Sequence, residues 1–199
     1  THFYRNGAQV DALRSVLLPE LVRQAADERR DLRVWSAGCS TGEEPYTLAM
    51  LAREVADAHG LDVRARILGS DLSTAALDVA EAATYSRTVD LAEPGALDRW
   101  FERPTEQAGG APPAYRVRAE LRETVRFVHH NLVTDDPPLT TGEADLVVCR
   151  NVTIYFARAT TRELVERFHR VLRPGGYLVL GHAETLWQVS DAFTLVPVG

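Results

Sequence analysis

Short apolar runs alternate with segments of helical periodicity along most of this chain. The run Ala144–Cys149 has little polarity, which is typical of a strand buried on both faces of a parallel sheet. Such alternation predicts an α/β domain with a mostly parallel sheet and helices on both faces. Strands are predicted at Leu32–Ala37, 63–70, Val125–His129, Ala144–Cys149 and 177–181, with one more at 193–198.

Local signals indicate where the intervening helices begin. Pro19 is expected to bend or restart the first helix, whose apolar residues recur at helical spacing over 13–21. Ser73 is positioned to cap a helix that runs to about residue 83. Thr160 and Glu163 have the pattern of a capping box, which predicts that Thr160 is an N-cap.

The stretch from residue 85 to residue 121 breaks the alternation. It is rich in proline, glycine and charged residues, and residues 115–117 have the character of a short strand. We interpret 85–121 as an insertion that forms a small β subdomain inside one domain of residues 1–199.

Charge and composition exclude several classes of protein. The 199 residues carry a formal net charge of −6, which argues against a nucleic-acid partner. No apolar run reaches the roughly 20 residues that cross a bilayer, so direct membrane insertion is not expected. Cys39 and Cys149 are too few for a disulfide framework or a four-cysteine zinc site. No metal site is predicted, and both cysteines are expected to be buried free thiols in a reducing cytoplasm.

The segment SAGCSTGEEPY, which follows a predicted strand, is the first candidate ligand loop. Gly38 and Gly42 permit a tight turn and the close approach of a ligand. Asp71, at the end of the second strand, is suited to accept hydrogen bonds from ribose hydroxyls. The loop matches neither the G-x-G-x-x-G pattern nor a P-loop.

Two acidic residues of this loop, Glu43 and Glu44, lie where a phosphate group needs positive charge. They argue against a pyrophosphate cofactor and favour a neutral or cationic one. S-adenosylmethionine fits, because it has a ribose, an ammonium and a sulfonium but no phosphate. The structural alternative is an acidic first turn that complements the helix dipole.

Polar residues follow other strands at the positions where α/β sheets bind ligands. Arg150 and Asn151 follow the strand at 144–149, and His182 and Glu184 lie past the last clear strand, with either structural or functional roles. Near the amino end, Arg5 lies among aromatic residues and is suited to bind a carboxylate. On these residues alone, a frayed terminus is the favoured interpretation of that segment.

Six segments, taken in order, resemble the CheR family of chemotaxis receptor methyltransferases, which are protein-glutamate O-methyltransferases. The combination of STGEEPY with CRNV-x-IYF is specific to that family, and the resemblance extends from Thr1 to Glu184. The six segments are THFYRN, WSAGCSTGEEPYTLAM, GSDLSTAALDVA, VRFVHHNL, CRNVTIYF and LRPGGYLVLGHAE.

The resemblance implies a Rossmann-like S-adenosylmethionine-dependent methyltransferase fold with an inserted β subdomain. It implies a cytoplasmic enzyme, by default a monomer, that methylates glutamate side chains on the cytoplasmic domain of a methyl-accepting chemoreceptor and releases S-adenosylhomocysteine. Arg5 and Tyr155 are implied to be the catalytic residues, nearest the methyl group and the acceptor carboxylate. Contacts with the cofactor are implied at Thr1, Arg5, Glu44, Asp71, Asn131, Leu132, Asn151 and Val152, with Gly38 in the adjoining loop.

The resemblance also implies individual roles and shows departures. Asp71 is expected to hold the ribose, Glu44 to face the cationic end of the cofactor, and Asn131 with Leu132 to flank the adenine. The family's N-terminal helical domain and its last sheet strand are absent, which predicts a piece of a longer protein. GHAE replaces the more usual GHSE.

Two other functions compete with this interpretation. One is an S-adenosylmethionine-dependent methyltransferase with another acceptor, such as a small molecule, RNA or a different protein. The other is a non-catalytic module that binds the cofactor and signals through a partner. A nicotinamide oxidoreductase is disfavoured, because the loop lacks the pyrophosphate-binding pattern.

Overall fold

The computed structural model describes residues 1–85, 95–102, 113–186 and 189–197. Its strands are β1 (Leu32–Ala37), β2 (Ala65–Asp71), β3 (Thr84–Tyr85), β4 (Tyr115–Arg116), β5 (Val125–His129), β6 (Ala144–Cys149) and β7 (Leu172–Leu180). Five of them form one sheet in the order β5-β2-β1-β6-β7. Every pairing in that sheet is parallel, so the predicted α/β fold is confirmed.

Two of the described helices precede β1, and the others lie in connections between strands. The helices are α1 (Gly7–Ala12), α2 (Leu18–Asp27), α3 (Glu43–His59), α4 (Thr74–Ala82), α5 (Ala96–Trp100), α6 (Ala119–Arg122) and α7 (Arg158–Val171). A π-helical turn, Leu13–Leu17, joins α1 to α2, and Pro19 lies in the first turn of α2. The predicted restart at this proline is therefore confirmed. Among the described residues, no helix is both long and apolar enough to cross a membrane.

The two predicted helix caps have different outcomes. The Ser73 hydroxyl accepts a hydrogen bond from the Ala76 amide at 3.2 Å, so Ser73 caps α4 as predicted. The capping box at Thr160 is wrong, because Ala157 is the N-cap of α7. The helix begins directly after the 3-10 turn Thr153–Tyr155, so the path of the preceding chain overrides the local pattern.

Both faces of the sheet are covered, because adjacent residues of a strand point to opposite sides. Along β1, Val34 packs in one core cluster, with α1, α2 and α3, while Trp35 packs in a second cluster with α7. Phe168 of α7 meets Trp35 edge to face, with ring centroids 5.3 Å apart. Two packed layers of this kind hold the central strands rigidly, and with them the loops that leave their ends.

A buried carboxylate lies at the amino end of β6. Asp145 is fully buried, with Arg30 Nη1 at 2.9 Å and Arg173 Nε at 3.6 Å from its carboxylate oxygens. The backbone amide of Arg33 donates to it at 2.8 Å. This ion-pair cluster ties β1, β6 and β7 together at the edge of the sheet opposite to the strand ends that bind ligands.

The last part of the sheet differs from its prediction. The turn predicted at residues 173–176 interrupts β7 rather than preceding it, because Leu172 pairs with Ala144 and Tyr177 pairs with Leu146. Gly175 has a φ of +81°, which suits the interruption to glycine. The strand predicted at 193–198 is wrong over its described part, since residues 193–197 form none.

The stretch 85–121 is described in part. β3 and β4 pair antiparallel, and Phe101 bridges to Val117, so the predicted strand at 115–117 is confirmed at Tyr115–Arg116. Residues 86–94 and 103–112 lie outside the described residues, and the inserted β subdomain stays a prediction.

Candidate functional site

The order of the strands in the sheet reverses between β1 and β6, because β2 and β5 lie on one side of this pair and β7 lies on the other. Two loops leave the carboxyl ends of β1 and β6 side by side, which is where open α/β sheets bind ligands. Gly38, in the first loop, has a φ of +82°, and a Cβ there would lie 2.6 Å from Cγ2 of Val152 in the second. Only glycine permits this contact, which explains the requirement for Gly38.

Asp71 anchors the loop that follows β1. Its Oδ2 accepts a hydrogen bond from the Ser40 amide at 2.7 Å, and its Oδ1 accepts one from the Ser73 amide at 2.9 Å. A carboxylate oxygen accepts more than one hydrogen bond, so Asp71 can still accept hydroxyl groups. The structure therefore joins Asp71 to the glycine loop.

Glu44 is held by two partners in the first turn of α3. Its Oε1 accepts from the Ser36 hydroxyl at 2.7 Å, and its Oε2 pairs with Arg150 Nε at 2.7 Å. The side chains of Glu44 and Arg150 are 13% and 8% exposed. Burial raises the pKa of Glu44, and the charge of Arg150 opposes that shift. The charge of Arg5 also acts to lower the pKa of Glu44 and so favours its ionised form.

A cavity of about 380 Å³ opens at this edge of the sheet. Its described lining is Arg5, Asn6, Gln9, Arg150, Asn151 and His182. Arg150 Nη1 donates to the Arg5 carbonyl at 2.8 Å, so the amino-terminal segment is bonded to the end of β6. Among the described residues, no hydrogen bond or ion pair engages the Arg5 guanidinium. The cavity therefore presents a cation that is available to an anionic group.

The amino-terminal segment is packed into the fold. The Phe3 ring meets Tyr85 edge to face at 4.9 Å and Phe101 at 5.3 Å. The Tyr4 amide donates to the Thr47 hydroxyl at 3.2 Å. The interpretation of this segment as a frayed terminus is therefore wrong, and Arg5 has a defined backbone position.

The loop after β5 carries the next pair of predicted site residues. The side-chain oxygen of Asn131 accepts a hydrogen bond from the Val133 amide at 2.9 Å, and the backbone amide of Asn131 donates one to Asp135 Oδ2 at 2.9 Å. Leu132 is buried in the second core cluster. This loop adjoins the site, since the His130 amide bonds to the Asp71 carbonyl at 3.0 Å.

Of the predicted site residues, Arg5 and Asn151 line the cavity, and the other described ones do not. Thr1 is exposed. Tyr155 lies on the 3-10 turn with 80% of its surface exposed, and it is not among the described residues that line the cavity. The contact of Tyr155 with an acceptor stays a prediction.

Glu184 is one of two residues, with His182, whose roles the sequence analysis leaves open. Its carboxylate accepts backbone hydrogen bonds from Asn151 at 2.8 Å, Val152 at 3.0 Å and Thr153 at 2.8 Å. Its position just past a strand end was the sequence signal for a role at the site. The periodicity of apolar residues does not indicate which loop such a carboxylate binds.

Cys39 and Cys149 are buried free thiols, as predicted. Burial raises the pKa of both thiols, so they stay protonated. Protonated thiols are poor nucleophiles, and neither cysteine is a candidate for covalent chemistry.

The fold and the site together define a class of protein. The strand order and the reversal between β1 and β6 belong to nucleoside-binding Rossmann-like domains. The loops carry the carboxylates of Glu44 and Asp71 and the amide of Asn151, which suit a ligand with hydroxyl groups and positive charge. This set of side chains fits S-adenosylmethionine. The chain is a Rossmann-like domain of the S-adenosylmethionine-dependent methyltransferase class.

Comparison with known proteins narrows the class to a family. Residues 1–198 match the family described as CheR methyltransferase, SAM binding domain, and the chain belongs to this family. It is 35% identical to chemotaxis protein methyltransferase 1 of Pseudomonas aeruginosa, over 98% of this chain and 69% of that protein. It is 38% identical to an uncharacterized 104.1 kDa protein of Rhodobacter capsulatus, over 98% of this chain and 20% of that protein.

Among solved structures, the chain is similar to geranyl diphosphate C-methyltransferase from Streptomyces coelicolor. The TM-score is 0.48 with 19% sequence identity, over 87% of this chain and 45% of that chain. The present chain thus spans part of the length of each protein compared, from 20% to 69%.

Proposed function

We propose that this domain transfers a methyl group from S-adenosylmethionine to glutamate side chains on the cytoplasmic domain of a chemoreceptor, giving methyl esters. One observation carries the proposal: the site combines the carboxyl groups of Glu44 and Asp71 with the cation of Arg5. The carboxylates suit a cationic cofactor, and the guanidinium suits an anionic acceptor. The names of the chemotaxis methyltransferase relatives support the choice of acceptor and a cytoplasmic location.

No general base is needed for this reaction. A glutamate side chain has a pKa of about 4.3 and is already ionised near neutral pH. When bound, S-adenosylmethionine supplies a methyl group activated by a sulfonium. The protein's contribution is then to align the acceptor and to exclude water from it.

Arg5 and Tyr155 together orient the acceptor carboxylate. The Arg5 guanidinium pairs with the carboxylate and sets its direction, while the Tyr155 hydroxyl donates one hydrogen bond. One cation and one neutral donor hold the carboxylate without removing its nucleophilicity, which a stronger set of donors would lower. Asn131 and Leu132 flank the adenine, Thr1 and Val152 complete the pocket, and Asn151 contacts the cofactor beside the cavity.

The direct test uses methyl-labelled S-adenosylmethionine and a soluble receptor fragment with exposed glutamates. Label that mild alkali releases identifies a carboxyl methyl ester, and a fragment with those glutamates changed to glutamine is the matched control. Release from the first fragment and none from the second is the expected result. Alkali-stable label would indicate a different acceptor atom, and binding of S-adenosylhomocysteine without transfer would indicate a regulatory module.

Replacing Asp71 with alanine is expected to weaken the binding of S-adenosylhomocysteine by about tenfold to a hundredfold. The variant loses the proposed ribose acceptor and two hydrogen bonds that shape the loop, each worth about 1 kcal/mol or more. Calorimetric titration measures the change. Asp78, on the helix that follows, provides the matched Asp78→Ala control, because its side chain is exposed. Unchanged affinity in Asp71→Ala would contradict the ribose assignment.

A further inference from the structure

Glu184 lies four residues past the end of β7, and its carboxylate is surrounded by hydrogen-bond donors. Oε1 accepts from the Val152 amide at 3.0 Å and from the amide and hydroxyl of Thr153 at 2.8 and 2.7 Å. Oε2 accepts from the amides of Asn151 at 2.8 Å and Gly181 at 2.6 Å. Both oxygens are thus occupied by donors, four of which are backbone amides.

These donors belong to the ends of two neighbouring strands. Asn151, Val152 and Thr153 follow β6, whereas Gly181 follows β7, so one side chain joins the two loops. The Glu184 amide also bonds to the Gly181 carbonyl at 2.9 Å, which closes a turn with His182 at its tip. His182 lines the cavity. Glu184 therefore sets the backbone on two sides of the cavity.

The backbone that Glu184 binds is strained at Asn151. Asn151 has a φ of +61°, which a non-glycine residue adopts at a cost. A Cβ at Gly181 would lie 2.6 Å from Glu184 Oε2 and 3.0 Å from the Asn151 amide nitrogen. Glycine at 181 thus lets the two loops approach each other around the carboxylate.

The electrostatics of Glu184 favour its ionised form. Burial acts to raise the pKa of Glu184, but hydrogen bonds from Thr153, Asn151 and Gly181 outweigh it and hold the pKa below the ordinary value. An ionised carboxylate only accepts hydrogen bonds, which matches an environment that only donates them. A glutamine would place an NH₂ group against backbone amides.

We propose that Glu184 is a positioning residue for methyl transfer, which fixes the Asn151–Thr153 backbone and so directs Tyr155. This inference rests on the proposed function. Tyr155 is 80% exposed and has little packing to hold it, so its direction depends on the 3-10 turn that begins at Thr153. The other proposed cofactor contacts, such as Asp71 and Asn131, lie on loops that Glu184 does not bond.

Glu184→Gln in the full chain tests this role. Turnover at saturating S-adenosylmethionine is expected to fall by about a hundredfold, because small displacements of orienting groups have effects of this size. The Kd of S-adenosylhomocysteine is expected to rise by no more than about tenfold, the equivalent of one lost hydrogen bond. Hydrogen exchange is expected to accelerate at the amides of residues 151–153 with S-adenosylhomocysteine bound.

Glu143→Gln is the matched control. The Glu143 carboxylate also accepts a backbone amide, that of Thr140 at 2.8 Å, but it lies before β6, at the opposite edge of the sheet. This variant is expected to keep wild-type turnover and wild-type exchange at 151–153. Glu184→Asp keeps the charge but has a shorter side chain, so a smaller loss of turnover is expected. This variant replaces Glu184→Gln in the experiment if Glu184→Gln does not fold.

Three results would overturn the inference. The first is wild-type exchange at 151–153 in the Glu184 variants. The second is a loss of turnover that matches the loss of folded protein in the same sample, and the third is equal losses of turnover and of cofactor affinity. Absence of methyl ester with the wild-type chain would instead refute the proposed function, and the exchange measurement would still decide whether Glu184 holds the loop.

Discussion

Replacing Arg5 with alanine is expected to lower the turnover of carboxyl methylation by about a hundredfold, with a far smaller loss of cofactor affinity. The guanidinium lines the cavity and is available to pair with the acceptor carboxylate. The substitution leaves the Arg5 carbonyl, so the hydrogen bond from Arg150 is retained. Turnover is measured at saturating S-adenosylmethionine, and the Kd of S-adenosylhomocysteine is measured by calorimetry.

Two further variants sharpen the Arg5 experiment. Arg5→Lys keeps the charge but cannot form the bidentate hydrogen bonds of a guanidinium, so a turnover between those of the wild type and Arg5→Ala is expected. Arg23→Ala is the control, because Arg23 is exposed and, within the described part of the chain, its side chain bonds only to the Pro19 carbonyl one turn earlier. Equal losses of turnover and affinity in Arg5→Ala would mean that Arg5 serves cofactor binding alone.

Replacing Asp145 with alanine is expected to lower the free energy of unfolding by about 3 kcal/mol. Removing the buried member of an ion pair is costly, and here Arg30 and Arg173 both lose the buried carboxylate and keep their pairs with the exposed Glu28. The Arg33 amide also loses its acceptor. For a chain of this size the midpoint of thermal unfolding falls by about 6 to 12 °C, as measured by calorimetry or circular dichroism.

Asp57→Ala is the control for the Asp145 experiment. Asp57 pairs with Arg53 at 2.8 Å, but these side chains are 44% and 64% exposed. Exposed pairs contribute about 0 to 1 kcal/mol, so the midpoint of thermal unfolding is expected to fall by no more than about 4 °C. Asp145→Ala unfolding at the same midpoint as Asp57→Ala would contradict the assigned role of the buried cluster.

The sheet was predictable because its strands carry their own signals. A fully buried parallel strand must be apolar on both faces, so Ala144–Cys149 is recognisable without knowledge of its neighbours. Helix starts were predictable only where the local pattern agreed with the path of the chain, as at Ser73. At Thr160 it did not, because the preceding 3-10 turn already directs the chain into α7.

The position of candidate residues at the carboxyl ends of strands could be predicted, but the bonds between those residues could not. Gly38 and Asp71 follow from the rule that ligands bind at the carboxyl ends of strands. The pairing of Glu44 with Arg150 joins residues 106 positions apart, and the bonds of Glu184 reach back more than 30 positions. Partners at such separations depend on strand order, which local patterns do not encode. The same holds for Asp145, a polar residue inside an apolar strand whose partners come from other elements.

The packing of Phe3 has a thermodynamic consequence. Its ring packs against Tyr85 and Phe101, which both belong to the stretch 85–121, and Arg5 follows two positions later. The stretch 85–121 and the cavity therefore contact the same short segment of chain. A ligand whose binding to that stretch depends on the position of Phe3 changes the affinity of the cavity for its own ligand, and reciprocity requires that the cavity's ligand change the first affinity by the same factor.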